Sequence, residues 1–123
     1  MENKTLQFQY MGYIDVNILL DKRITAVANG KDIEKSYVYN ILKQYSLENN
    51  ENILCINNDN ADEYTLSKIK KLQDAIIIIN EADTVLDKYI DLDRYIREEN
   101  DSNYYVMLGI KITGDTCSIQ IEK

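Results

Sequence analysis

The run Ala75-Ile76-Ile77-Ile78-Ile79 constrains the fold more than any other stretch of this chain. A strand with one wet face alternates apolar and polar residues. This one does not alternate, so it must be covered on both faces, as strands of a parallel sheet are. Its neighbours supply the cover. Residues 23–28, 52–56 and 104–112 also read as apolar strands. Between them the period lengthens to that of helices. Ile33, Tyr37, Ile41 and Tyr45 recur every four residues, with Val38 and Leu42 beside them and Asp32 as N-cap. Residues 46–51 read as a polar loop. Asn57-Asn58-Asp59-Asn60 favours a turn. A second helix starts at Ala61 or Asp62, with Leu66, Ile69 and Leu72 on one face. A third runs from about 84 to 99, with Val85, Tyr89, Leu92 and Ile96 facing the core and Tyr39 and Tyr95 nearer the surface. Strands alternating with about three helices predict an α/β fold, three-layered, with a mainly parallel sheet.

The two ends read differently. Leu6-Gln7-Phe8-Gln9-Tyr10 alternates, and so does Ile14-Asp15-Val16-Asn17-Ile18-Leu19-Leu20, with Gly12 relieving the bend between them. Asp21-Lys22 suits a short turn. Residues 1–28 therefore read as an N-terminal hairpin whose last arm enters the main sheet. Gly114-Asp115 turns residues 104–123 into a C-terminal hairpin, ending in the alternating Cys117-Ser118-Ile119-Gln120-Ile121. At 123 residues the whole is one domain, long enough to bury about two-thirds of its unfolded surface.

Composition removes several function classes. There is no His, Pro or Trp. Histidine acid–base chemistry and histidine-ligated metal sites are excluded. Cys55 and Cys117 form no CxxC pair and read as buried reduced thiols. No apolar segment reaches signal or membrane length, so a cytoplasmic location is expected. The net charge is −7. Residues 80–101 alone hold eight acids against three bases. Such a surface repels nucleic acid and membrane headgroups and favours basic partners.

Two segments carry motif letters. Residues 24–42 read as strand, tight loop and amphipathic helix, with Lys35-Ser36 at the helix start. The isoleucine strand ends in Asn80-Glu81-Ala82-Asp83. In this order and on these elements, the chain resembles a P-loop ATPase of the AAA-like kind over roughly residues 23–110. In that family a G-x-x-x-x-G-K-[ST] loop cradles phosphates, its Lys reaches them and its Ser/Thr binds Mg²⁺. A second strand, the Walker B segment, ends in an Asp that supports the metal. By resemblance Lys35, Ser36, Asn80 and Glu81 hold the nucleotide-site positions.

The departures point away from catalysis. Asn29 stands where the first Gly belongs and Glu34 where the second belongs. Glycine lets the backbone approach the phosphates closely. Glu34 adds bulk and a like charge. Two unit charges about 4 Å apart repel by about 4 kcal/mol at an effective dielectric of about 20, roughly a thousandfold in affinity. Asn80 replaces the metal-supporting Asp, and Ile110 stands where relatives can carry an Arg. Asn29 and Glu34 thus block the loop, and no cofactor or metal is expected.

The third helix supplies the other signal. Asp83, Asp87 and Asp91 lie at i, i+4 and i+8, and Glu98 falls near the same stripe. With Tyr95 they are the candidate partner-binding residues. A solvated face is the ordinary explanation of the row, since like charges at that spacing only weaken a helix slightly, and docking to a basic groove is the functional alternative. The expected function is a catalytically inactive P-loop ATPase-like module that binds a protein with a basic surface, in a regulatory or inhibitory role. The alternative is a small acidic inhibitor or nucleic-acid mimic, of the kind phages encode, that blocks a nucleic-acid enzyme such as a defence nuclease. A third reading is a weak nucleotide-binding ATPase.

Overall fold

The isoleucine run is buried on both faces. Ile76, Ile77, Ile78 and Ile79 are each no more than 1% exposed, and they divide alternately between two cores. The computed structural model of the protein describes residues 4–10, 12, 14–20, 24–27, 35–49, 52–99, 101–108 and 118–122. In chain order the elements are β1 (Lys4–Tyr10), β2 (Ile14–Leu20), β3 (Ile24–Val27), α1 (Lys35–Asn49), β4 (Ile53–Ile56), α2 (Thr65–Lys70), β5 (Ile76–Asn80), α3 (Ala82–Lys88), α4 (Ile90–Glu98), β6 (Tyr104–Leu108) and β7 (Ser118–Glu122).

Strands β3, β6, β5 and β4 form, in that spatial order, a sheet in which every pair is parallel. The order decides where the helices go. The connection from β3 to β4 crosses the sheet one way, and those from β4 to β5 and β5 to β6 step back the other way. Right-handed crossovers then put the first helix on one face and the later ones on the opposite face. The cores agree. Ile41 and Leu42 of α1 pack with Ile76, Ile78, Val106 and Leu108. Ile69 of α2, Val85 of α3 and Leu92 and Ile96 of α4 pack with Ile77, Ile79, Tyr105 and Met107.

The expected terminal hairpins are corrected in part. β1 and β2 do pair antiparallel, with Lys4 opposite Leu20 and Tyr10 opposite Ile14. Gly12 lies between them at φ +79°, a left-handed conformation that glycine adopts without penalty. On its other edge β2 pairs with β7, Val16 opposite Ile121, and not with β3. β6 and β7 belong to different sheets and do not pair with each other over their described residues, and the turn of the expected C-terminal hairpin lies in 109–117, outside the described residues. The antiparallel strands build a second sheet, and Leu6, Val16, Ile18 and Leu20 turn its buried face toward α1. Their alternation required one covered face and did not say which element would cover it.

Two helix expectations also change. α1 continues through 46–49, where a loop was predicted, and the Gln44 amide donates to Glu48 Oε1 at 2.7 Å along its exposed side. Tyr39, expected near the surface, is 5% exposed, because α1 is covered by a sheet on two sides. The predicted third helix is two helices. Tyr89 has φ −118° and ψ 80°, outside the helical region, and separates α3 from α4. Asp32, Asp21-Lys22, Ile110, Gly114-Asp115 and Cys117 lie outside the described residues.

A buried polar clasp joins β5 and β6 at their N-terminal ends. Asn103 is fully buried. Its side-chain oxygen accepts the Ala75 N–H at 2.9 Å, and its amide donates to the Leu72 carbonyl at 3.2 Å. The Asp101 carboxylate accepts the Asn103 N–H at 3.0 Å and the Tyr105 hydroxyl at 2.6 Å.

Candidate functional site

In a parallel sheet all strands end on one edge, and ligands of such sheets bind beyond that edge. Here the edge is set by register. Val27 of β3 and Asn80 of β5 both align with Leu108 of β6. Val27, on the strand that leads to Lys35, and Asn80, at the end of β5, therefore stand level with one strand between them. At about 4.8 Å per strand, the two are roughly 10 Å apart. Lys35 and Ser36 are the first described residues of α1. Asn29 and Glu34 lie outside the described residues.

Asn80 is partly buried at the end of β5 and Glu81 is exposed beside it. Glu81 adopts φ 51° and ψ 44°, the left-handed conformation, and starts α3. The reversal from strand to helix within one residue requires it. The Glu81 carbonyl accepts from the Thr84 and Val85 amides, both at 3.0 Å. A β-carbon in this conformation carries strain of about 1 kcal/mol. Glu81→Gly is expected to raise stability by up to about 1 kcal/mol, and Glu81→Val to lower it by more than that. Urea unfolding of the two variants checks the sign of each.

Among the described residues, this edge presents the neutral Asn80 amide and the exposed Glu81 carboxylate. Among the described residues no group of three or more Asp, Glu or Cys side chains is gathered closely enough to hold a metal ion. Cys55, on β4, is a free thiol, partly rather than fully buried. Burial pushes its pKa up to about 11, against a small downward pull from Lys43. The neutral thiol is the form the fold favours. Stability drawn from it is complete below the ordinary thiol value of 9.0 and is lost as pH rises through about 11. Cys55→Ala is therefore expected to flatten the alkaline side of a Tm-against-pH curve. Iodoacetamide at neutral pH should modify the native thiol far more slowly than the urea-unfolded one.

The acidic partner-binding candidates do not form one row. The break at Tyr89 leaves Asp83 and Asp87 on α3 and moves Asp91 and Glu98 to α4. Asp87 and Glu98 are exposed and Asp83 is partly buried. Asp91 is 86% exposed, with the Arg94 guanidinium 3.8 Å away. Tyr95 is partly buried against the α2–α4 core, with the Lys70 ammonium 5.4 Å from its ring centre.

The same break opens a groove that residue patterns alone do not reveal. It has a volume of about 340 Å³ and lies between the start of α2 and the α3–α4 junction. Leu66, Tyr89 and Leu92 supply apolar lining, Asp62, Glu63 and Asp91 carboxylates, and Lys88 an amine, with Ile90 completing the wall. Ile90 is 64% exposed, although it is a large apolar residue. The Tyr89 hydroxyl ties the junction to the turn before α2 by donating to the Ala61 carbonyl at 3.0 Å.

No protein family, curated protein or solved structure was found to match the chain.

Proposed function

We propose that this protein is a catalytically inactive module on the P-loop ATPase plan and acts by binding a protein with a basic surface. One observation carries the reading: Val27 and Asn80 stand level in the same parallel sheet, both opposite Leu108 of the strand between them. That placement is the one the two motif segments need in order to share a ligand. The residues at those positions lack the chemistry. Asn80 cannot offer a carboxylate to Mg²⁺, and Asn29 and Glu34 replace the loop glycines. What remains is a sheet edge on a chain of net charge −7, with exposed acids at Asp87, Asp91 and Glu98. The break at Tyr89 weighs against the nucleic-acid mimic, which would need a longer regular row of charges.

Nucleotide titration tests the reading. A ligand held at about 100 times its Kd would add about 2.7 kcal/mol of stability, several degrees in Tm for a domain of this size. ATP with Mg²⁺ is expected to leave Tm unchanged. The combined reversion Asn29→Gly, Glu34→Gly and Asn80→Asp is expected to restore a measurable shift. A clear shift in the unaltered protein, or none in the reverted one, would sink the pseudo-ATPase reading.

A further inference from the structure

We infer that the groove at the α3–α4 junction is the docking site for a short basic peptide segment that carries one apolar anchor residue. This rests on the proposed binding of a basic protein partner and names where on the chain that contact is made. Three features of the groove choose the occupant. Its volume, about 340 Å³, is at the small end of the range of ligand pockets, roughly 300–1,000 Å³, so it suits a few side chains. Its inner wall includes the buried Leu92 and the partly buried Leu66, while Ile90 stands 64% exposed at its mouth. An apolar group entering there would cover Ile90 and gain burial without moving the core. The third feature is charge. Asp62, Glu63 and Asp91 outnumber Lys88.

The charges are arranged for an outside cation. Lys88 holds its ammonium over the Tyr89 ring, 5.8 Å from the centre. The ion pairs found among the described residues in this region, Asp91–Arg94 and Asp93–Arg97, leave Asp62 and Glu63 without a cation. Asp62 is already oriented: its Oδ1 accepts the Tyr64 N–H at 2.8 Å, and its own N–H donates to Thr65 Oγ1 at 2.9 Å. Among the described residues no three carboxylates gather closely enough to hold a metal ion, and arginine or lysine side chains are the cations that complement the groove. A second copy of this chain would bring net negative charge to the same place, so complementarity favours a different, basic partner.

The test uses a short fluorescein-labelled peptide with a central leucine flanked by arginines, read by fluorescence anisotropy. The unaltered protein is expected to bind it, less tightly at about 0.5 M salt than at about 0.05 M, since salt screens exposed charges. Asp62→Asn with Glu63→Gln is expected to weaken binding roughly tenfold while keeping the Asx hydrogen bond. Ile90→Ser, or serine in place of the peptide leucine, is expected to cost a similar factor. Asp15→Asn with Glu48→Gln removes equal charge elsewhere and is expected to cost less than about twofold. All the altered side chains are exposed, and a Tm measurement on each variant verifies folding. Absence of binding overturns the proposal. So does equal weakening by the Asp15/Glu48 pair, or indifference to Ile90 and to the peptide leucine. In those two cases binding through overall charge survives and the broader partner reading stands. Self-association that Ile90→Ser abolishes would assign the groove to a second copy and also overturn it.

Discussion

Asn103→Ala is expected to lower the stability of this protein by about 3 kcal/mol, measured as a shift of the urea midpoint at unchanged slope. The Asn103 side chain is the partner of the buried Ala75 N–H and of the Leu72 carbonyl. Alanine leaves both unpaired, and each such group costs roughly 1–3 kcal/mol. The loss would be large for a domain whose total stability is of order 10 kcal/mol. Because the clasp sits at the N-terminal ends of β5 and β6, the damage should spread to the register of the central strands. Ser102→Ala makes the comparison. Its exposed hydroxyl accepts only the Asp74 N–H at 2.9 Å, and its loss is expected to cost less than about 1 kcal/mol. Equal effects of the two substitutions would mean that Asn103 contributes no more than a surface turn.

Ile77→Ala and Ile78→Ala are each expected to cost about 3–4 kcal/mol, and by nearly the same amount. In a sheet with one wet face, adjacent residues differ sharply, because only one of them is buried. Here Ile77 faces α2, α3 and α4 while Ile78 faces α1, and both are fully buried. Paired chemical-denaturation curves decide it. A cost below about 1 kcal/mol at either position would mean that the sheet is open on that side. The two variants should also be nearly additive when combined, since their side chains enter different cores.

Much of this fold was legible because its signals are local. The apolar run at 75–79, the four-residue period through Tyr37, Ile41 and Tyr45 and the spacing of Leu66, Ile69 and Leu72 each identify an element without reference to anything distant. Pairing between remote strands is not local. Alternation in β2 showed that one face would be buried, but nothing in residues 14–20 says that β7 is the partner. Tyr39 was misplaced for a similar reason: a helix covered on two sides hides positions that a helix lying on one sheet leaves wet.

The break at Tyr89 is a different case, because the sequence does carry a sign of it. No Gly or Pro marks the position, and the apolar spacing runs straight through. The charges, however, are arranged for two helices. Asp83 lies in the first turn of α3 and Lys88 in its last. Asp91 and Asp93 lie in the first turn of α4 and Arg97 in its last. Acids at helix starts and bases at helix ends match the helix dipole, a logic that a single helix from 84 to 99 would violate in its middle. The motif letters of the candidate site were equally readable, and the register that levels Val27 with Asn80 emerged only from tertiary pairing. The groove owes its existence to the break and was invisible for that reason.

The pairing of β2 with β7 has a consequence for how the molecule is made. Leu19 lies opposite Ser118, roughly a hundred residues further along the chain, a long-range contact of the kind that slows folding. During synthesis the β1–β2 hairpin leaves the ribosome about a hundred residues before β7, the strand that pairs with its other edge. A lone two-stranded hairpin is marginal in water, and an uncovered edge invites pairing with another chain. Over that interval the nascent chain carries an adhesive edge. Truncation just before residue 118 should yield aggregates rather than a smaller soluble domain.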